Sequence, residues 1–154
     1  MSAPDARPEL ALFIGLQATG KSTFFHQRLA RTHLRLSLDV LRTRHRERAL
    51  FEACLASRTT VALDNTNPSR EERARYIGPA RAAGFSVVGY FFRSRIAEAL
   101  ARNAARPEAE RVPEVGVRAA SARMELPHAD EGFDRLYFVA MDEAGGFTVD
   151  PWQA

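Results

Sequence analysis

Five short apolar runs, separated by segments too long to be hairpins, constrain this chain more than any other feature. They are "ELALFIG" (9–15), "HLRLSLD" (33–39), "TTVALD" (59–64), "FSVVGYFF" (85–92) and "FDRLYFVAM" (133–141). Between them the pattern predicts helices from Gly20 to about Arg31, from Val40 to Ser57, over 69–83, from a Ser94 cap to about Asn103, and from Val112 or Pro113 to Leu126. Parallel strands need such crossovers, and a sheet made this way carries helices on both faces. The expectation is a three-layer α/β fold with a mostly parallel five-stranded sheet, with "GGFTVDPW" left over as a possible edge strand. At 154 residues the chain is expected to form one domain, 1–154.

In such sheets ligands bind beyond the carboxyl ends of the strands. Gly15 to Lys21, Asp39, Asp64 and the residues after Phe92 all follow a predicted strand and should therefore share one rim. The first of these groups also explains an oddity of composition: Lys21 is the sole lysine, and every other basic side chain apart from histidine is arginine. Gly15, Gly20, Lys21 and Ser22 fit GxxxxGK[ST] between a strand and a helix, the P-loop arrangement. The glycines let the backbone curl around an anion, and amides from Ala18 to Thr23 form a nest at a helix start. Lys21 is a compact charge that a planar guanidinium does not mimic, and Ser22 suits Mg²⁺. Gly15, Gln17, Ala18, Thr19, Gly20, Lys21, Ser22 and Thr23 are accordingly expected to bind ATP, with Ala18 where many P-loops have glycine. The fold class sharpens to a P-loop NTPase or kinase.

A GTPase carries an Asn-Lys-x-Asp element, which a chain with one lysine lacks. A motor ATPase or AAA module, with its arginine finger and sensor helices, is expected to need a larger chain. At the second strand end "SLDVLR" places Asp39 and Arg42 three residues apart, on one face if helical. They could act together on an acceptor, a carboxylate taking a proton and a guanidinium holding a phosphate; an N-cap aspartate beside a solvated arginine fits equally. At the third, Asp64 stands where a Walker B-like acid holds Mg²⁺ through water. Asn65, Thr66 and Asn67 follow, and a turn cluster explains these as well. In "ARNAARPEAERVP", Arg102 and Arg106 are i and i+4 and lead into a loop with Arg111.

In order, the P-loop, Asp39-x-x-Arg42, "DNTNPSREERARYI", "GFSVVGYFF", "RNAARPEAERVP" and "DEGFDRLYFV" resemble the kinase domain of phage-type and bacterial polynucleotide 5′-hydroxyl kinases, over about Leu10 to Val139. Zeta-toxin and gluconate kinases are neighbouring families. The resemblance implies phosphoryl transfer from ATP to a hydroxyl, with ATP and Mg²⁺ handled by Lys21 and Ser22. It makes Asp39 the general base, Arg42 a contact to an acceptor phosphate, and Asp64 part of an Asp-x-Thr-Asn signature beside Asn65. It makes about 102–113 a lid whose Arg102 and Arg106 close over the donor phosphates.

The acceptor is the open question. Net charge is +3, with arginines crowding residues 28–123 and acids the tail, which suits a phosphate-bearing partner such as RNA or DNA 5′ ends. Against this, no phosphatase signature is present, and Val40 to Leu63 is short for a segment that helps form an acceptor side; Arg42, Arg44, Arg46 and Arg48 form either a basic wall or a solvated helix face. Three readings follow: a polynucleotide 5′-hydroxyl kinase, a kinase of a sugar, metabolite or antibiotic, and a slowly hydrolysing nucleotide-binding module. No stretch predicts a signal peptide or membrane span, so a cytoplasmic protein is expected. Cys54 reads as an apolar filler, and His26, His33, His45 and His128 lack metal-ligand spacing.

Overall fold

A computed structural model describes residues 6–153. Six strands form one sheet in the order β2-β3-β1-β4-β5-β6. They are β1 (Glu9–Ile14), β2 (Leu34–Leu36), β3 (Val61–Leu63), β4 (Ser86–Phe92), β5 (Arg135–Met141) and β6 (Phe147–Pro151). The first five are parallel and β6 runs antiparallel to β5. The sheet thus has six strands rather than the five expected. The sixth is made by a tight return in which Asp142 Oδ1 accepts from the N–H groups of Ala144 and Gly146, with Gly145 at φ 82°.

Helices α1 (Lys21–Arg28), α2 (Leu38–Leu41), α3 (Arg44–Ser57), α4 (Arg70–Ala82), α5 (Ile96–Ala104) and α6 (Glu114–Arg123) link the strands, with short 3₁₀ turns at Glu108–Glu110 and Ala129–Glu131. Alternation along β1 divides the core. Leu10, Leu12 and Ile14 pack with Phe51 and Cys54 of α3 and Tyr76, Ile77 and Ala80 of α4. Ala11 and Phe13 face the other way, against Phe24 and Phe25 of α1, Phe92, Val139 and Phe147. Phe13 meets Phe24, Tyr90 and Phe92 edge-on at centroid separations of 5.9, 5.7 and 5.3 Å, a geometry that adds to the gain from apolar burial. Leu16 anchors α5 and α6 through Ala99, Val117 and Ala120.

Several expected boundaries shift for local reasons. The helix expected over Val40 to Ser57 is two helices. Arg42 adopts φ 74°, and Thr43 then starts α3 afresh by accepting from Arg46 N–H at 3.1 Å. The second strand stops at Leu36 because Ser37 caps α2, accepting from Asp39 N–H. Ser94 is no helix cap: it donates to the Phe92 carbonyl and accepts from Leu16 N–H, and α5 begins after Arg95. Helix α6 ends before Leu126, since Glu125 N–H is drawn to the Pro68 carbonyl at 2.7 Å. The Ser69 start of α4 stands as expected, with a reciprocal capping box to Glu72.

Candidate active site

The strand order reverses at β1, with β2 and β3 on one side and β4 and β5 on the other, so the loop after β1 lies at the switch point of the sheet. That loop is held from three sides. Gly15 N–H donates to the Thr66 carbonyl and Leu16 N–H to Ser94 Oγ, both at 3.0 Å, and Asn67 Nδ2 donates to the Phe13 carbonyl at 2.8 Å. The glycines are sterically required: a Cβ on Gly15 would lie 2.9 Å from Phe92 Cβ, and one on Gly20, at φ 96°, 2.8 Å from the Phe147 ring. Ala18 takes φ 61° with a side chain present, a left-handed conformation that costs about 1–2 kcal/mol outside glycine.

Lys21 is 9% exposed, and its ammonium donates to the Gly15 and Leu16 carbonyls at 2.9 and 2.6 Å. Burial lowers its pKa from 10.5 to about 8, opposed by Asp64, helped by Arg106 and opposed by Asp39. Above that value the free protein increasingly holds a neutral amine, and an arriving phosphate restores the charge. ADP binding is therefore expected to take up close to one proton at about pH 9 and almost none below about pH 7. Calorimetry in buffers of different ionisation enthalpy measures this, and a constant proton balance would contradict it.

A cavity of about 240 Å³ opens beside this ammonium, lined by Gln17, Ala18, Lys21, Ser22, Asp39, Arg44, Asp64, Asn65, Thr66, Asn67 and Arg106, with Leu38 and Val112. Residues from the ends of β1, β2 and β3 and from beyond β4 thus converge on one rim. Asp64 is 5% exposed, and its Oδ2 accepts from Ser22 Oγ at 2.9 Å. This pair of hard oxygen donors beside the loop fits magnesium, which is held through few protein ligands and through substrate phosphates. Asp39 is exposed at the start of α2, with no partner for its carboxylate among the described residues. Gln17 Oε1 is a buried acceptor also without one.

Not every expected residue is in this cavity. Arg42 is exposed and is not part of the lining; with α2 ending at Leu41 it does not share a helical face with Asp39, and Arg44 lines the cavity instead. Arg102 and Arg106 separate because α5 ends at Ala104. Arg102 lines a neighbouring cavity with Thr19, Arg93, Glu98, Met141 and Glu143. Arg111 is spent on the Arg106 carbonyl, donating from Nε and a terminal nitrogen at 3.1 and 2.8 Å, and Asn103 closes this loop by bonding both backbone groups of Val112. Asn65 lines the cavity, but its side chain is occupied: Oδ1 accepts from Leu38 N–H at 2.9 Å and Nδ2 donates to Glu47 at 2.7 Å.

Four residues enter that sequence reasoning did not single out for these roles. Arg35 donates to Asp64 and Ser22. Glu47, 2% exposed, accepts from Asn65 and from the Tyr76 hydroxyl, and so links α3 and α4 to the start of α2, where Asp39 sits. Arg44 donates to the Tyr76 hydroxyl at 3.0 Å. Arg73, fully buried, grips the carbonyls of Asn67 and Pro68 in the loop that supplies the cavity floor. Their partners are 5 to 58 residues away, which residue spacing does not disclose; for Glu47 and Arg73 the available signal was a polar residue inside an otherwise apolar helical stripe.

Residues 10–127 match the family model described as AAA domain. The chain is 29% identical over 135 residues to the bifunctional polynucleotide phosphatase/kinase of Schizosaccharomyces pombe, covering 83% of this chain and 32% of that relative. It therefore spans about a third of the relative's length. Among solved structures, Chaetomium thermophilum Kti12 in complex with ADP-AlF3 shares the fold with a TM-score of 0.65 at 19% identity, over 88% of this chain and 92% of that one. A gluconokinase from Sinorhizobium meliloti 1021 does so with a TM-score of 0.59 at 17% identity, over 89% and 86%. The matched segment lies inside the span of about Leu10 to Val139 over which the kinase resemblance runs. With more than half of its residues matched, and with the loop, lysine and three-layer sheet described above, the chain belongs to the AAA domain family as a P-loop kinase-type member.

Proposed function

We propose that this protein transfers the γ-phosphate of ATP to a polynucleotide 5′-hydroxyl. The observation that carries this reading is one cavity joining a buried lysine at an anion-binding loop, a carboxylate without a partner among the described residues, and a half-buried arginine: Lys21, Asp39 and Arg106. Phosphoryl transfer asks for positioning and charge neutralisation more than covalent chemistry. Lys21 and the loop amides hold the donor phosphates, and Arg106, from the expected lid, offsets charge on the transferred group. Ser22 directly and Asp64 through water would hold magnesium, which supplies further charge neutralisation when bound. Asp39 accepts the proton of the attacking hydroxyl. Its position follows from α2, whose first N–H is tied to Asn65 and through it to Glu47.

A polynucleotide acceptor is favoured by what adjoins the cavity. Arg44 also lines a groove of about 560 Å³ between α3 and α4, together with Arg48, Arg75, Phe51, Tyr76, Glu47, Glu52, Leu55 and Pro79. Arg44, Arg48 and Arg75 are exposed and suit phosphates downstream of a 5′ end. The Schizosaccharomyces pombe relative is a bifunctional polynucleotide phosphatase/kinase, which agrees. Phe51 and Tyr76 are buried at 4% and 6% exposure, so the groove offers charge rather than a base-stacking platform.

Labelled ATP presented with 5′-hydroxyl oligonucleotides, gluconate and other sugars decides the acceptor, with Lys21→Ala as blank. Transfer to oligonucleotides is expected; transfer to a sugar alone would make this a small-molecule kinase, and transfer to water alone a slow nucleotide-hydrolysing module. Single-strand affinity is expected to fall with salt at a log–log slope of about −2 for three phosphate contacts, with Arg48→Ala and Arg75→Ala each removing about 0.7. Fluorescence anisotropy measures this, and salt-insensitive binding would contradict the groove's role.

A further inference from the structure

Arg35 lies on the edge strand β2, opposite Ala62 of β3. Its Nε donates to Asp64 Oδ2 at 2.7 Å, a terminal nitrogen donates to Ser22 Oγ at 3.0 Å, and Ser22 Oγ in turn donates to the same Asp64 oxygen at 2.9 Å. The three groups close a triangle in which the Asp64 side chain is 3% exposed and that of Arg35 20%. Ser22 and Asp64 are the pair that fits magnesium, so a guanidinium already neutralises the one carboxylate of the cation site. It also engages the hydroxyl that would be a direct ligand.

Two cations do not share these two oxygens. Magnesium takes oxygen ligands in near-octahedral geometry and gives up water reluctantly, whereas a guanidinium is a planar set of donors with no electron pair to offer a metal. A bare divalent ion approaching this corner meets a carboxylate already paired, with Lys21, Arg44 and Arg106 lining the same cavity. Polyphosphate brings the missing negative charge. We propose that Arg35 is a resident cation that keeps the metal site closed to free divalent ions. Metal then enters only as its nucleotide complex, which displaces the guanidinium from Ser22 and Asp64. The proposal rests on the reading of Ser22 and Asp64 as the cation-holding pair.

The experiment follows free Mn²⁺ by electron paramagnetic resonance as it is titrated into nucleotide-free protein, with MnADP binding as a separate arm. The unmodified chain is expected to bind Mn²⁺ weakly without ADP. Arg35→Gln, which removes the charge and keeps a polar side chain, is expected to bind it at least about tenfold more tightly, and methylguanidinium added to Arg35→Ala should compete Mn²⁺ off again. Equal nucleotide-free Mn²⁺ affinity in the unmodified and Arg35→Gln chains would overturn the proposal. The underlying reading has its own control: Ser22→Ala and Asp64→Asn should weaken MnADP binding, and if both bind MnADP as the unmodified chain does, the cation pair itself is misassigned and the proposal falls with it. Should the Arg35 variants fail to fold, nuclear magnetic resonance of the unmodified chain gives the same answer. The Arg35 Nε–H signal, protected by Asp64, should shift and lose protection on adding MgADP but not Mg²⁺ alone; a signal that answers equally to both overturns the proposal.

Discussion

Replacing Asp39 by alanine is expected to lower turnover of phosphoryl transfer to a hydroxyl by about 10²- to 10⁴-fold, the range for a positioned general base. Nucleotide affinity should change little. The carboxylate is exposed and free of partners among the described residues, so its removal costs no packing and leaves no buried group unpaired. Its influence on Lys21 is the smallest of the four causes of that residue's shift, which leaves the loop's grip on phosphates essentially as it was. Asp39→Asn, which preserves shape, should be nearly as slow, because an amide does not take a proton. Single-turnover rates set beside calorimetric ADP binding give both quantities. Unchanged turnover would remove Asp39 as the base, and a parallel loss of nucleotide binding would make it part of the donor site instead.

Arg73→Met is expected to destabilise the fold by about 3–5 kcal/mol, the cost of breaking a buried ion pair from one side. Arg73 is 0% exposed and forms a two-pronged pair with Glu131, from Nε at 2.8 Å and a terminal nitrogen at 3.1 Å. Its other terminal nitrogen donates to the carbonyls of Asn67, Pro68 and Glu125 at 3.1, 3.0 and 3.1 Å. Methionine fills similar space but strands the carbonyls of Asn67 and Glu125, leaves that of Pro68 with Glu125 N–H alone, and strips the guanidinium from a carboxylate whose side chain is 2% exposed. Urea denaturation measures the loss. The double change Arg73→Met with Glu131→Leu should recover a measurable part, since no charge is then left buried. Recovery will be incomplete because His128 N–H loses its acceptor on Glu131 and the carbonyls of Asn67 and Glu125 stay unpaired. A change below about 1 kcal/mol in Arg73→Met would show that the pair is not the clasp the geometry describes.

How much of this was legible in the amino-acid order depends on the range of the interaction. Strand runs such as 85–92 and the helix start at Ser69 are written within a few neighbouring residues, and they stand where expected. The anion loop was legible for the same reason, since its chemistry is carried by consecutive positions from Gly15 to Thr23. Arg42 illustrates the limit. Helical spacing placed it beside Asp39, but one positive φ ends α2 and hands the position to Arg44, and nothing in an arginine announces a left-handed backbone. Arg106 and Arg102 part company similarly: Arg102 is within α5 and Arg106 two residues past its end, and they line different cavities. Arg35 was passed over because alternation along a strand tells only which face a side chain takes; that it meets Asp64, 29 positions on, follows from β2 pairing with β3. The sixth strand was left out of the expected sheet because its run is short and half polar, and the Asp142 turn supplies what the run lacks.

The folded-back ammonium of Lys21 has a practical consequence. Since the chain has one lysine, a reagent that acylates side-chain amines has a single address, at the floor of the phosphate loop. Burial that holds its pKa near 8 also leaves more of the free amine at neutral pH than an ordinary lysine offers. The mass added to one peptide is then expected to serve as an occupancy gauge: modification should proceed in the free protein and stop when nucleotide is added, without any probe engineered into the molecule.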